Sequence, residues 1–474
     1  MLKAPCLLLL AAFFGIGLLL PATADVTGWR TDGTSHYPQA QLPAKWGPDA
    51  EGKWKLKTEQ WSNATPVVVG DIVFITEEPT KLVAVDLNSG EKLWEKSHLY
   101  EEVLGEDQLA FFKGNDAEAQ RLITERNKLN RIGRMLRKKE KEQVEAGDDE
   151  RALLTVRAEQ KANREKIREI SDALAKNPGL AMPPAHKVNG HASYTPVSDG
   201  VLVVAAFGNG VVAAYDLNGK RKWARWVQNP DHQWGGSVSP AIAGGKVIVR
   251  FDDHVALDLA TGEEVWRLPG QQSFGSPVVV ESGGLPFYIS ARGEIIDVEA
   301  GKMVESNAFN MADHRLRLSA PVVKDGVIYA ADGIQGGGPC GRVVAVKVPD
   351  NSEGEWEKLW ETPTVHQRHY ASPLVAGEIL YTLAEDGTLS LFNLKDGSQL
   401  ATTKLEGLKR RTYPSPVLAG KQILISDEHG NAIALEPGKA MKAGTTAKVS
   451  PYRSTPIFTG ETMLVRNLDG LSAF

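Results

Sequence analysis

The stretch Ala84-Val85-Asp86-Leu87-Asn88-Ser89-Gly90-Glu91-Lys92-Leu93-Trp94 decides the fold. An alternating apolar strand runs into an acidic residue, a short polar turn with glycine, and a second strand carrying tryptophan. Aspartate accepts hydrogen bonds from turn backbone, and glycine takes the positive φ that other residues resist. These are hairpin parts. The pattern returns as Ala256-Leu257-Asp258 with Gly262 and Trp266, and one residue shorter as Ala214-Tyr215-Asp216 with Gly219 and Trp223. Weaker copies run from Asp297 to Gly301 and Val304, from Asn393 to Gly397 and Leu400, and from Glu436 to Gly438.

Ahead of each hairpin stands a second phrase, a small or hydroxyl residue, then proline, then a short apolar strand. It occurs at Thr65-Pro66, Thr195-Pro196, Ser239-Pro240, Ser276-Pro277, Ala320-Pro321, Ser372-Pro373, Ser415-Pro416 and Thr455-Pro456. From Pro196 onward the spacings are 44, 37, 44, 52, 43 and 40 residues, the length of one four-stranded propeller blade. The first spacing is 130, and it contains a charged segment of 87 residues, Leu99 to Ala185. Without that segment it also shrinks to one blade. After Pro456 only 18 residues remain, too few for a complete blade. The alternating Lys53-Trp54-Lys55-Leu56-Lys57 supplies the missing outer strand, since a ring cannot leave an unpaired edge. The expectation is an all-β, eight-bladed β-propeller of four-stranded antiparallel blades, closed in the last blade by an N-terminal strand. Trp54, Trp94, Trp223, Trp266 and Trp360 are expected to dock between neighbouring blades.

The chain of 474 residues is 42% hydrophobic and 24% charged, with 46 glycines, 26 prolines and a formal net charge of −5. Such composition excludes a disordered tail, a collagen-like fibre and a globally basic nucleic-acid binder. Lys3 precedes an apolar run from Leu7 to Leu20, and Pro21-Ala22-Thr23-Ala24 follows it. That run is shorter than the ~20 residues of a membrane-spanning helix and reads as a cleaved export signal, residues 1–24. The protein is thus expected in the periplasm or outside the cell, without a membrane span after cleavage. Cys6 leaves with the signal, and Cys340 remains as a single thiol, so no intramolecular disulfide can form.

The A-x-D-x-x-x-G-x-x-x-W repeat resembles the tryptophan-docking repeat of the pyrroloquinoline quinone (PQQ) propeller superfamily. That superfamily holds quinoprotein alcohol dehydrogenases and also the non-enzymatic outer-membrane assembly factor B. The opening Trp29-Arg30-Thr31-Asp32-Gly33, with Leu42-Pro43 and Trp46, resembles the lead-in of exported PQQ-like repeat proteins. The resemblance covers nearly everything after Trp29 except the charged segment. It implies a propeller, and either a scaffold or a quinone- and calcium-dependent oxidoreductase.

Residues 99–185 break the β pattern. They carry 17 basic and 17 acidic residues and no tryptophan. Leu153, Val156, Gln160, Asn163, Ile167, Ile170 and Leu174 follow 3-4 spacing, matched upstream by Leu122, Leu129, Ile132 and Leu136. With Gly147-Asp148-Asp149 as the turn, the segment reads as an antiparallel coiled-coil hairpin. The resulting division is a signal at 1–24, lead-in, closing strand and first blade at 25–98, hairpin insertion at 99–185, and blades two to eight at 186–474. A solvated helix surface accounts for the charge, and the alternative is a docking arm for a partner protein. The basic cluster Arg134, Arg137, Lys138, Lys139 and Lys141 is diluted by acids, so no nucleic acid is expected.

Signatures for haem attachment, zinc proteases, the nucleophile elbow and the phosphate loop are missing. Catalytic quinoproteins typically hold the quinone with a vicinal cysteine pair, and Cys340 stands alone in a glycine-rich run. Asp252, Asp253 and Asp313 are scattered acids without ligand spacing, and His366-x-x-His369 lacks a third ligand, so no metal is expected. One constellation stands out. The four-residue windows ahead of each repeat proline fall in equivalent loops at one mouth of the channel, and none of their 32 residues is acidic. Arg315, Arg317, Arg368, Arg410, Arg411 and Arg453, with His369, cluster in the last four blades, facing a neutral half with Trp61, His191, Trp234 and Gln272. Planar guanidinium forks bind oxyanions. The mouth is therefore expected to take an anionic ligand, a polysaccharide or an acidic partner. The favoured reading is a non-enzymatic binding scaffold without cofactor, and the alternative is a PQQ- and calcium-dependent oxidoreductase.

Overall fold

In the computed structural model the description covers residues 25–43, 46, 52–147, 149–230, 232, 234–310, 318–333, 341–365, 368–409, 411–438 and 443–474. The expected export signal at 1–24, Arg315, Arg317, Arg410, Asp313, His366 and Cys340 lie outside these residues. Among the described residues are eight sheets. Seven have four strands and one has five. Sheets 1 to 8 begin with the inner strands Val67–Val69, Val197–Ser198, Ala241–Ala243, Val278–Ser282, Val322–Lys324, Leu374–Ala376, Val417–Ala419 and Ile457–Thr459. Each continues outward by antiparallel neighbours, the propeller arrangement. In sheet 8 the outermost strand is Trp54–Lys57, paired from Trp54 opposite Ala473 to Lys57 opposite Gly470. The N-terminal strand thus lies where the alternation of Lys53–Lys57 puts it.

The hydroxyl before each repeat proline has a structural job. The Thr65 amide donates to Thr195 Oγ1 (3.0 Å), Thr195 to Ser239 Oγ (3.1 Å) and Ser239 to Ser276 Oγ (3.1 Å). The relay resumes from Ala320 to Ser372 (2.8 Å), Ser372 to Ser415 (3.0 Å) and Ser415 to Thr455 (3.2 Å). It closes from Thr455 back to Thr65 Oγ1 (3.3 Å). These residues are buried, so every bond satisfies an amide that water cannot reach. The one gap falls where Ala320 offers no hydroxyl to Ser276.

At the outer edge the tryptophans join neighbouring sheets. Trp54, Trp94, Trp223, Trp266 and Trp360 donate their indole N–H to the carbonyls of Leu87, Leu217, Leu259, Val298 and Leu394 in the next sheet, at 2.7–3.0 Å. Each ring lies over that sheet's turn glycine. At Gly90 (φ 75°) an added Cβ would stand 2.5 Å from the Trp54 ring, so both the turn and the close approach exclude a side chain. Asp86 accepts from the amides of Asn88 and Ser89 and from the Ser89 hydroxyl, as the turn chemistry requires.

Residues 25–43 do more than lead in. Asp25 accepts from the Gly70 amide at one face of the ring, and Val26 pairs with Val68 of the inner strand of sheet 1. The chain rises to Arg30 and descends as the strand His36–Tyr37, parallel to the inner strand of sheet 7. Contacts with Val197 in sheet 2, Val278 in sheet 4 and Pro373 in sheet 6 place this loop inside the hub. It enters the hub from the face opposite the window loops and turns at the window end of the inner strands, where Val197, Val278 and Pro373 lie. Arg30 is fully buried, bonding Ser35 Oγ and the carbonyls of Thr34 and Pro373.

The charged segment forms α1 (Tyr100–Val103), α2 (Glu106–Ala146) and α3 (Glu150–Lys176). At 1.5 Å per residue α2 is about 60 Å long. Gly147 caps α2 in the left-handed region, and the Asp149 side chain caps α3 on the Ala152 amide. The polar seam residues are satisfied by the opposite helix. Gln160 donates to the Leu136 carbonyl and Glu140, and Asn163 donates to the Leu129 carbonyl beside Gly133. The root is apolar, with Phe112 packed on Tyr100 (4.6 Å) and Trp226 (5.2 Å) between sheets 1 and 2. No described helix is long and apolar enough to cross a membrane.

Candidate functional site

The window loops lie where an outer strand hands the chain to the next inner strand, at the same face as the turn between second and third strands. Backbone bonds strap the two together. Glu78 donates to the Trp61 carbonyl, Gly208 to His191, Glu385 to Arg368, Glu428 to Arg411 and Leu468 to Pro451, all at 2.7–3.1 Å. Those second turns bring carboxylates that the windows lack.

Glu428 is the clearest case. It is nearly buried and takes Arg453 Nε at 3.0 Å and Arg411 Nη1 at 3.5 Å. Arg453 lies 5.9 Å from the Tyr413 ring, Tyr413 packs on Tyr370 at 4.7 Å, and Arg368 Nη1 reaches the Tyr370 hydroxyl at 3.3 Å. Sheets 6, 7 and 8 thus share one cluster of three guanidiniums, two phenols and a carboxylate. This corrects the picture of a bare cationic arc. Arg411 keeps 57% of its side chain exposed and Arg453 only 18%. Arg411 also holds a positive φ of 72°, a strained backbone that its amide bond to the Glu385 carbonyl helps fix. His369 is buried rather than presented.

Across the mouth, the chain leaving α3 returns past sheet 3. His186 stacks on the half-exposed Trp234 with ring centres 3.9 Å apart, and Asn189 donates to the carbonyls of Trp234 and Gly236. Burial and then the charges of Lys187 and Arg411 push the His186 imidazole below its ordinary value.

Two carboxylates brace the rim. Glu78 receives the amides of His191 (2.8 and 3.0 Å) and Ala192 (2.6 Å), tying sheet 1 to the window of sheet 2. Gly190, at φ 63°, leaves room for it, since an added Cβ would strike the carboxylate. Burial pushes Glu78 up to about 7 against the pull of those amides. In sheet 4, Glu294 accepts from Ser290 Oγ (2.7 Å), the Gln271 amide (2.9 Å) and His254 Nε2 (3.0 Å). Burial opposes its charge, but these bonds and the nearby Arg250 hold it down at about 2. Burial lowers the pKa of His254, against the pull of Glu294. Arg250 bonds the carbonyls of Gln271 and Ser273, fixing the window from below. Among the described residues no three His, Cys, Asp or Glu side chains are placed to hold a metal.

The family profile described as outer membrane protein assembly factor BamB matches residues 252–471. Over those residues this chain is similar to PQQ-like, BamB-like propeller proteins. Two curated relatives carry that name. The one from Moranella endobia (strain PCIT) is 23% identical over 255 residues, 50% of this chain and 60% of its own length. The one from Yersinia pestis is 24% identical over 264 residues, 52% of this chain and 62% of its own. The match spans less than two thirds of either relative. Among solved structures, the computationally designed Ika8 protein aligns over 90% of this chain and 99% of that one, with a TM-score of 0.52 and 11% identity. That likeness is one of fold alone.

Neither the acids beside the windows nor the plug was foreseen from sequence. The signal available for the acids was a carboxylate at the end of a second strand, as in Ile75-Thr76-Glu77-Glu78 or Ser426-Asp427-Glu428.

Proposed function

We propose that this chain is an exported, non-enzymatic scaffold propeller that grips an acidic segment of a partner protein at its open mouth, while the helical hairpin adds a second contact. The observation that carries the reading is convergence. Arg368, Arg411, Arg453, Trp234, the exit segment around His186 and the hairpin root share one face. The likeness to an assembly factor, strongest in residues 252–471, supports a scaffold role. The apolar N-terminal run supports export.

Two substitutions test the mouth. Arg368→Gln with Arg411→Gln should weaken binding of poly-glutamate by roughly tenfold for each charge-assisted bond lost, and flatten its salt dependence. Unchanged affinity and salt slope overturn the reading. An anionic polysaccharide binding tighter than poly-glutamate would change the partner class. Incubation with PQQ and calcium, followed by dye-linked alcohol or sugar oxidation, should give no turnover. Tight uptake with turnover would replace the scaffold with an oxidoreductase.

A further inference from the structure

The helical hairpin sorts its charges in a way that its composition hides. Helical 3-4 spacing gives each helix a row beside the seam, residues 126, 130, 134, 137, 141 and 144 in α2 and residues 154, 157, 161, 164, 168 and 171 in α3. Contacts put both rows on one face. Near the root, Arg126 lines one cavity with Ser171, and towards the tip Arg157 Nε bonds Glu140 at 2.7 Å while Arg137 Nη1 lies over Gly133.

The first row holds Arg126, Arg134, Arg137 and Lys141, the second holds Arg157, Lys161, Arg164 and Arg168, and neither holds an acid. On the opposite face the same spacing mixes the signs, with Arg121, Lys128, Lys139 and Lys166 interleaved among Glu125, Glu142, Glu159 and Glu169. Arg126 is buried and the other seven cations of the basic face are exposed. Of these seven, among the described residues, only Arg157 and Lys141 have a carboxylate partner, Glu140 at 2.7 Å and Glu145 at 3.6 Å. The tip end of this face adds Val144 and Leu154, both more than half exposed. Acids return at the turn, where Asp149 caps α3 and Glu150 follows.

From Arg126 to Lys141 the face runs about 20 Å, and two helix axes about 8–10 Å apart make its charges a two-dimensional array. An acidic helix or strand meets one such row at a time, whereas a bilayer surface presents phosphates to both. We propose that this face docks on an anionic phospholipid surface, with Val144 and Leu154 entering the headgroup boundary. No residue of the mouth takes part, so this proposal and the mouth reading can fail separately.

The test is co-sedimentation of the full chain with vesicles of roughly one third phosphatidylglycerol in phosphatidylcholine. Pure phosphatidylcholine vesicles control for the apolar N-terminal run. Anionic vesicles should bind more tightly, and less so as salt rises. Arg137→Gln, Lys161→Gln and Arg168→Gln together should weaken that binding about a hundredfold, at about fivefold per charge. Lys128→Gln, Lys139→Gln and Lys166→Gln remove the same charge from the other face and should cost no more than about fivefold. Leu154→Ser should weaken binding by a factor that salt does not change, since an apolar contact is not screened. Arg368→Gln with Arg411→Gln should leave it unchanged. Losses as large from the other-face triple variant or from the mouth pair overturn the proposal, as does equal capture by neutral vesicles. So does tighter binding of this face to poly-glutamate or duplex DNA than to the anionic vesicles.

Discussion

The half-buried Glu78 and the buried Glu294 are both carboxylates at the mouth, and they bias stability in opposite directions with pH. The folded pKa of Glu78 is raised to about 7. Its contribution is therefore fully present below the unfolded value of about 4.3 and is lost as pH rises through 7. The folded pKa of Glu294 is depressed to about 2, so its contribution is present above about 4.3 and is lost as pH falls towards 2. Urea titrations across pH should show Glu78→Gln removing a loss between about pH 4 and 7, and Glu294→Gln removing one below about pH 4. A shared slope for both variants would refute the assignment. Glu428 gives a third residue-scale outcome. Its replacement by Gln frees Arg411 and Arg453, and polyanion affinity should rise by up to about fivefold, the size of a partly exposed ion pair. The windows' lack of acids was legible in the sequence. The neutralising Glu428 was not, because it lies on another loop that approaches only after the sheet folds.

At the scale of elements, the repeat proline phrase marks each inner strand, and its hydroxyl closes the hub. Ala320→Ser should add the missing bond from Ser276 and raise the unfolding free energy by about 0.5–1.5 kcal/mol in urea, whereas Thr195→Ala should lower it by about 1–3 kcal/mol by orphaning the Thr65 amide. Equal effects of the two would mean that the relay contributes nothing. Removing one docked tryptophan, as in Trp223→Ala, should cost on the order of 3–5 kcal/mol, read by the same denaturation curve. The Asp-turn-Gly hairpins were legible because aspartate and glycine act within four residues of themselves. The seam of the helical hairpin was legible too, including Gln160 and Asn163, although their carbonyl partners were not. The hydroxyl relay escaped notice because its partners are a whole sheet apart.

For the molecule as a whole, closure comes from two directions, the outer strand Trp54–Lys57 in sheet 8 and the plug at 25–43 in the hub. Arg30→Met removes the buried donors that tie the plug to Pro373 and should cost about 1–3 kcal/mol for each acceptor left unpaired, with cooperative melting retained and shifted down. A variant melting like the parent would mean that the plug is incidental. The sequence by itself determined the repeat, its β-hairpins, the inserted helices and the strand that completes the ring, because periodicity and turn chemistry are local. Only the tertiary structure decided which arginines are neutralised, what enters the hub and which hydroxyl each inner-strand amide meets. Those depend on loops and strands far apart in the chain meeting in space, where burial and the nearest charge set what each side chain can do.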